Sequence, residues 1–368
     1  MVQKADGMNY APQGKPNPVV KPGEFVFAAM HLDHGHIYGQ CNGLLEAGAT
    51  LTKVYDPDPA KVEAFIKKFP QAVAVDDPRR ILDDPTIRLV AAAAVPSERG
   101  PLGCRVMEAG KDYFTDKCPF TSLDQLAQAR RVAVATGRKY AVYFSERLHV
   151  ESAVFAGDLV QQGAIGRVVQ VLGLGPHRLN APSRPAWFFE RAKYGGILTD
   201  IGSHQIEQFL FFTGNTKATV THAAIGNFDN PDHPELDDFG EVAVAGANGA
   251  VGYHRVDWFT PKGLRTWGDG RMFILGTQGY IELRKYLDVA RSDAGDHVYL
   301  VNGEGEKHIE VAGKVGYPYF GRLVKDCLDR TETAMTQEHA FLAAELCLKA
   351  QAQAVVLTRD GGRPLVRV

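Results

Sequence analysis

IRLVAAAAV, residues 87 to 95, is apolar at consecutive positions once past Arg88, not at alternate ones. A strand with one wet face alternates, whereas a continuous apolar run suits a strand of a parallel sheet covered by helices on both sides. Outward from it, FVFAAM (25 to 30), ATLTKVYD (49 to 56), DYFTDK (112 to 117) and KYAVYFS (139 to 145) read as further strands. PAKVEAFIKKF (59 to 69) and SLDQLAQARRVAVATG (122 to 137) read as helices between them. Strand, helix, strand requires crossovers. Residues 25 to 146 are therefore expected to form a Rossmann-type, doubly wound α/β domain with a parallel sheet.

The pattern changes beyond residue 147. VVQVLGLG (168 to 175), TVTHAAIG (219 to 226), GEVAVAGANGAVGYHRVDWF (240 to 259) and GYIELRK (279 to 285) follow one another with Gly and Asn turns between them. That predicts an α+β domain over 147 to 338 with a large, mainly antiparallel open sheet. HAFLAAELCLKAQAQAVVLTRDG (339 to 361) carries apolar residues at helical spacing and ends in Gly, so 339 to 368 are expected to be a C-terminal helix and tail packing back on the body. Residues 1 to 24, rich in Pro, Gly and Asn, predict an extended arm, either loose or docked on a neighbouring subunit.

Composition narrows the function classes. The formal net charge of the 368 residues is -2, which gives no bias toward polyanions, so nucleic acid is not an expected partner. Cys41, Cys104, Cys118, Cys327 and Cys347 have no regular spacing, which argues against a disulfide framework or structural zinc and for a reducing compartment. The first residues lack an apolar leader segment and no apolar run approaches a membrane span, so a cytoplasmic protein is expected, with no membrane partner.

Two motifs carry a resemblance. DKCPF (116 to 120) resembles the E-K-P signature of the glucose-fructose oxidoreductase/inositol dehydrogenase/rhizopine catabolism (Gfo/Idh/MocA) family. GGILTDIGSHQIEQFLFFTG (195 to 214) is similar to that family's Gly-Gly-x-Leu-x-Asp-x-Gly-x-His run. The likeness extends through MEAGKDYF (107 to 114) and GTQGYIEL (276 to 283). It implies an NAD(P)-dependent oxidoreductase acting on CH-OH of a sugar, cyclitol or related polyol, with Lys117 at the nicotinamide and substrate hydroxyl. Asp116 stands where the family has Glu and Cys118 where it has Pro. Cys118 is read as a small space-filling residue, with a reactive thiol beside a cation as the alternative.

The residues make their own case. Lys117 lies at the carboxyl end of a parallel strand, where open α/β sheets bind ligands. Asp200 and His204 are four residues apart, and a helix beginning near Gly202 would present both toward one side as an acid/base pair. Their bland alternative is a helix cap and a packing histidine. The expected catalytic set is Lys117, Asp200 and His204.

The cofactor signal is divided. Asp56, closing VYD about 20 residues beyond the loop that follows the first strand, suits the ribose-binding acid that favours NAD over NADP. VFAAMHLDHGHIYGQ (26 to 40), however, puts His31, Asp33 and His36 at or near the fingerprint's glycine positions, with Gly35 and Gly39 out of phase. Asp33 also places negative charge next to two phosphates. Three readings stand: a rebuilt phosphate loop whose histidines turn aside or meet the pyrophosphate as cations; loss of the cofactor, leaving a binding or assembly protein; and a divalent metal held among His31, Asp33, His34 and His36. The first is adopted. The expected NAD contacts are His31, Asp33, His34, Gly35, His36, Asp56, Pro96, Asp116 and Lys117, with no metal ligand.

Polar and aromatic residues around the later strands supply substrate candidates. Arg147, His177 and Trp187 are singled out, from a set that includes Glu146, His149, Arg178, Arg184 and Lys193. Alternating apolar residues in VAVAGANGAVGYHRVDWF need cover, which predicts a homodimer or homotetramer paired through the sheet. A lyase or glycoside-cleaving relative that oxidises its substrate transiently is the remaining alternative for the reaction.

Overall fold

The computed structural model describes residues 7–358 and 365–366, in two compact units. In the first, β1 (Val26–Met30), α1 (His36–Glu46), β2 (Thr50–Tyr55), α2 (Pro59–Lys68), β3 (Val73–Ala74), α3 (Arg79–Leu82) and β4 (Ile87–Ala92) are followed by α4 (Pro96–Glu108), β5 (Asp112–Asp116), α5 (Leu123–Thr136) and β6 (Tyr140–Tyr143). The strands form a parallel sheet in the order β3-β2-β1-β4-β5-β6. The order reverses between β1 and β4, the switch point at which such sheets open a ligand crevice. Leu89, Val90, Ala91 and Ala92 of β4 are all fully buried, as a doubly covered strand requires.

The arm docks on its own chain. From Met8 to Val19 it runs the length of α1: Met8 and Asn9 lie at Gly35, Ala11 at Gly39, and the Pro12 carbonyl accepts from Asn42 Nδ2 at 3.1 Å. Asn17 N and Val19 N then donate to the Glu46 and Ala47 carbonyls at 2.8 and 2.9 Å. These bonds satisfy carbonyls at the end of α1 that the helix itself leaves open.

In the second unit come α6 (Ser145–Leu148), α7 (Glu151–Gln161), β7 (Val168–Pro176), α8 (Arg191–Tyr194), α9 (Ile197–Asp200), α10 (Gly202–Thr213), β8 (Ala218–Gly226), β9 (Phe239–Gly246) and β10 (Val251–Asp257). β11 (Arg271–Gly276), β12 (Gly279–Arg284), β13 (His297–Asn302) and β14 (Gly305–Glu310) complete its central run. The last two, a hairpin, went unread in the sequence. After these the chain forms α11 (Pro318–Asp329), α12 (Gln337–Gln353), β15 (Val355–Leu357) and β16 (Leu365–Val366). The large sheet has the order β14-β13-β12-β11-β7-β10-β9-β8-β15-β16 and is antiparallel except where β7 meets β10 and β8 meets β15. α10 packs on one face of this sheet. On β10, β11 and β12, Val251, Tyr253, Phe273, Leu275 and Tyr280 are exposed.

α11 and the start of α12, residues 316–341, belong to the first unit. The Phe320 ring sits where a side chain at Gly43 would stand, so α11 closes down on α1. The expected helix over 339 to 361 is shorter: α12 ends at Gln353, and Val355 and Val356 pair in parallel with Ala224 and Ile225. Two β-branched residues at the edge of an unpaired strand pair more readily than they extend a helix. The remainder of that expected stretch, 359 to 361, and residues 1 to 6 of the arm lie outside the described residues.

Candidate functional site

At Met30 the chain leaves β1 in a loop without the glycine fingerprint. His31 takes a left-handed backbone, φ 52°, for which glycine is the usual residue. Its N–H donates to the Tyr55 carbonyl at 3.0 Å and its carbonyl accepts from Ala93 N at 2.9 Å, stitching the loop to the strands on either side. The side chains then diverge. The His31 ring lies edge-on to Tyr55, centroids 6.0 Å apart, while Asp33 turns toward α2 and pairs with Lys61 Nζ at 2.5 Å. The charge expected beside the phosphates is therefore matched by an ammonium.

His34 and His36 turn the other way and converge on Asp116, the last residue of β5. Its Oδ1 accepts from His36 Nδ1 at 2.8 Å and from Lys117 N at 2.9 Å. Its Oδ2 accepts from Arg99 Nη2 at 3.2 Å and lies 3.2 Å from His34 Nδ1. Burial alone would raise this carboxyl, but the neighbouring His36, Arg99 and His34 hold it well below the usual carboxylate range. Burial, and then His36, push His34 well below its ordinary value against the pull of Asp116. His31 is lowered by burial too. Burial thus disfavours the charged forms of His34 and His31, which supports the first of the two ways expected for them, turning aside, over meeting phosphate as cations.

His34, His36 and Asp116 are spaced closely enough to hold a metal, their polar atoms lying within 4.8 Å of one another. Their surroundings suit a cation poorly. The Arg99 guanidinium already occupies the carboxylate, and Lys117 adds a second positive charge.

Arg99 is the residue that sequence reading missed. It is 1% exposed on α4; Nε donates to the Ala94 carbonyl at 2.7 Å, and Nη1 donates to the carbonyls of Lys117 and of Cys118, the latter at 3.1 Å. One guanidinium thus fixes the backbone on both sides of the Lys117–Cys118 peptide bond, which is cis. An arginine in a polar stretch such as PSERG reads as a solvated charge; only its place just beyond the carboxyl end of a buried strand hints otherwise. Cys118 itself is buried.

Pro96 opens α4 and is buried. Asp56 is 6% exposed; its Oδ2 accepts from Leu32 N at 2.6 Å and its Oδ1 from Asp58 N at 2.8 Å. It borders an open cleft lined also by Tyr55, Pro57, Val62, Val75 and Arg79. An acid at the end of β2 beside open space fits the adenosine half of a dinucleotide. The phosphate half differs from a glycine fingerprint. Gly35 is the N-cap of α1, yet a Cβ there would stand 2.7 Å from the Met8 carbonyl oxygen; at Gly39 it would meet the Tyr143 hydroxyl at 2.6 Å, and at Gly43 the Phe320 ring at 2.4 Å. The glycines that fell out of phase serve close protein packing on α1 instead.

In the sheet unit, Asp200 ends α9 and His204 lies in the first turn of α10; they are 8% and 1% exposed. The N-cap of α10 is Ile201, whose side chain makes no capping bond. Arg147 grips Glu207 in a buried fork, Nε to Oε1 at 2.8 Å and Nε to Oε2 at 2.9 Å, and its guanidinium lies 4.0 Å over the Phe211 ring. Arg178 Nη2 staples the carbonyls of Pro261, Leu264 and Thr266. His177 is buried against Trp267, ring centroids 4.5 Å apart, and Trp187 is half-buried beside Phe188. Among the described residues no helix is long and apolar enough to cross a membrane.

Sequence comparison matches residues 29–144 to the oxidoreductase family NAD-binding Rossmann fold and residues 155–282 to the GFO/IDH/MocA C-terminal domain. A solved structure from Erwinia carotovora atroseptica SCRI1043, carrying the provisional description oxidoreductase, is 49% identical, with a TM-score of 0.88 over 91% of this chain and 100% of that one. The scyllo-inositol 2-dehydrogenase (NAD(+)) of Bacillus subtilis is 27% identical over 264 residues, 70% of this chain and 71% of that protein. The D-xylose dehydrogenase of Paenarthrobacter nicotinovorans is 26% identical over 150 residues, 39% of this chain, and the match spans only 38% of that protein's length. With an NAD-binding Rossmann unit, an open-sheet unit and both family domains matched in order, the chain belongs to the Gfo/Idh/MocA oxidoreductase family.

Proposed function

We propose that this protein is an NAD-dependent dehydrogenase that oxidises a secondary alcohol of a sugar, cyclitol or related polyol. The observation that carries the reading is the seating of Lys117: a buried lysine at the carboxyl end of β5, its backbone clamped by Arg99 and Asp116, in the NAD-binding domain of an oxidoreductase family. A charge held so firmly at a sheet's ligand edge is preorganised for a reacting group. When bound, NAD supplies the hydride acceptor. His204 takes the hydroxyl proton, and Asp200 and Lys117 support it. Asp56 and the cleft beside it receive the adenosine, and the Lys61 ammonium paired with Asp33 stands as counter-charge for the phosphates. The protein works as a homo-oligomer in the cytoplasm, the former supported by the exposed apolar row on the large sheet and the latter by five buried cysteines that form no disulfide.

The test is reduction of NAD by the purified protein over a panel of scyllo-inositol, D-xylose and D-glucose, with NADH binding followed by fluorescence. Lys117→Ala and His204→Ala should each lower turnover by about 10²-fold or more while retaining wild-type melting. Absence of NADH binding by the wild type, or wild-type turnover by either variant, would sink the assignment.

A further inference from the structure

The outer hairpin of the large sheet gathers two histidines and a glutamate. β13 and β14 pair antiparallel with His297 opposite Glu310 and Tyr299 opposite His308, and β14 is an edge of the sheet. Residues two apart on a strand share a face, so both imidazoles and the carboxylate stand on one side of the hairpin. His297 Nδ1 lies 3.0 Å from His308 Nε2 and 3.9 Å from Glu310 Oε1, and one polar atom from each of the three falls within 4.8 Å of the others. Around a tetrahedral ion with bonds of about 2 Å the ligand atoms stand about 3.3 Å apart, so small side-chain rotations close the set.

The rings are already aimed. His297 is fully buried and its Nε2 lies 3.0 Å from the Ala294 carbonyl; donating there leaves Nδ1 with its lone pair toward the cluster. A carbonyl behind the far nitrogen is what orients a metal-ligating imidazole. The His308 ring stacks on Tyr299, centroids 4.6 Å apart, and the Tyr299 hydroxyl is held by Asp288. Glu310 has no other ion-pair contact among the described residues, and its side chain, 56% exposed, has room to turn inward. As the hairpin stands, one proton bridges the two rings: Arg291 Nη1, a donor only, lies 3.2 Å from His308 Nδ1, so the ring's proton sits on Nε2 and is donated to His297 Nδ1. Arg291 is exposed and can turn to water, whereas the guanidinium beside His34, His36 and Asp116 is buried and tied to three carbonyls. Arg284, opposite His297, spends its charge on Glu282 and Asp288 at 2.8 and 3.0 Å.

We infer that His297, His308 and Glu310 form a site for a borderline divalent cation, zinc above all, whose binding clamps the edge strand β14 to β13; this does not depend on the dehydrogenase reading above. Two imidazoles and a carboxylate are ligands that zinc takes, while magnesium and calcium prefer oxygen throughout. As the ion enters, the proton of His308 passes from Nε2 to Nδ1, Arg291 turns aside, and Nε2 becomes the second nitrogen ligand beside His297 Nδ1. Glu310 supplies the third, and water completes the coordination. An edge strand is held by backbone bonds on one side only, so a bond through the ion between side chains of both strands steadies it where the sheet ends.

The experiment takes the full chain, stripped with a chelator, and titrates zinc by calorimetry while amide exchange is followed over residues 297 to 310. Wild type should bind zinc, and at about a hundredfold excess over Kd exchange across the hairpin should slow by about tenfold or more. His308→Ala and Glu310→Gln should each weaken zinc binding by about tenfold or more and abolish the slowing, with zinc-free melting retained. Glu310→Gln changes an exposed side chain by one atom, so it decides the matter if His308→Ala folds poorly. No zinc binding, wild-type affinity in both variants, unchanged exchange over the hairpin, or an equal response to magnesium would overturn the inference.

Discussion

Exchange of His254 for leucine should make the sheet unit both more stable and less sensitive to acid. His254 is fully buried on β10, and neither ring nitrogen has a hydrogen-bond partner among the described residues. Space for the ring is made by Gly173 and Gly252, where a Cβ would come within 2.7 and 2.9 Å of its nitrogens. Burial, with the nearby Lys285, pushes its pKa down to about 3, from 6.5 in the unfolded chain. Between those two values the unfolded chain holds a proton that the folded one rejects, so stability is lost as pH falls. At roughly 1.4 kcal/mol per pH unit below about 6.5, acidification from about pH 7.5 to about pH 5 costs about 2 kcal/mol through this residue alone. His254→Leu removes that loss, and at neutral pH gains about 1 to 3 kcal/mol by deleting an unpaired buried N–H. Urea unfolding at both pH values, followed by tryptophan fluorescence, isolates the effect, because Trp187, Trp258 and Trp267 all lie in the unit that carries His254. Every other titrating group contributes equally to wild type and variant. Equal losses of stability in the two proteins on acidification would refute the reasoning.

Asp33→Gly should tighten NAD binding in calorimetry by about 1 kcal/mol, since it frees Lys61 to meet phosphate and removes a like charge; weaker binding would show that the ion pair itself shapes the loop. NAD affinity should stay level as pH falls from about 7.5 to about 6, because burial keeps His34 and His31 neutral; tightening across that range would contradict it. Tyr253→Glu with Phe273→Glu, placed opposite Leu172 of β7 on either side, should convert an oligomer to a monomer in light scattering, whereas a monomeric wild type would remove the premise. Gly39→Val should lower the melting temperature sharply and loosen the arm, seen as faster amide exchange over residues 10 to 19, because its side chain collides with the Tyr143 hydroxyl.

What could be read from the sequence was set by how local its cause is. Parallel strands announce themselves by runs such as LVAAAAV because burial on both faces acts residue by residue, and the order of the two units follows from where that pattern gives way to Gly-punctuated strands. The meeting of His34 and His36 with Asp116 joins residues 80 and more positions apart, and no periodicity encodes it. Arg99 looked like solvent-facing charge because its role depends on three carbonyls brought to it by the fold. Gly35 and Gly39 were read against a phosphate, when their spacing answers to the arm and to Tyr143. β15 was absorbed into α12 because an alanine-rich helix passes without punctuation into Val355 and Val356.

The closure of α11 over Gly43 bears on how the protein is made. The first unit takes its last residues from 316–341, so its strands and helices leave the ribosome well before the segment that completes them. At roughly 5 to 20 residues per second, translation from Tyr143 to Phe341 takes on the order of 10 to 40 s. Throughout that interval the Phe320 ring is missing from its place on Gly43, and Asp112 waits for Arg330, its ion-pair partner at 2.7 Å. The domain that is synthesised first is therefore completed only after the central run of the second has been made, and Gly43 of α1 stays uncovered until α11 arrives.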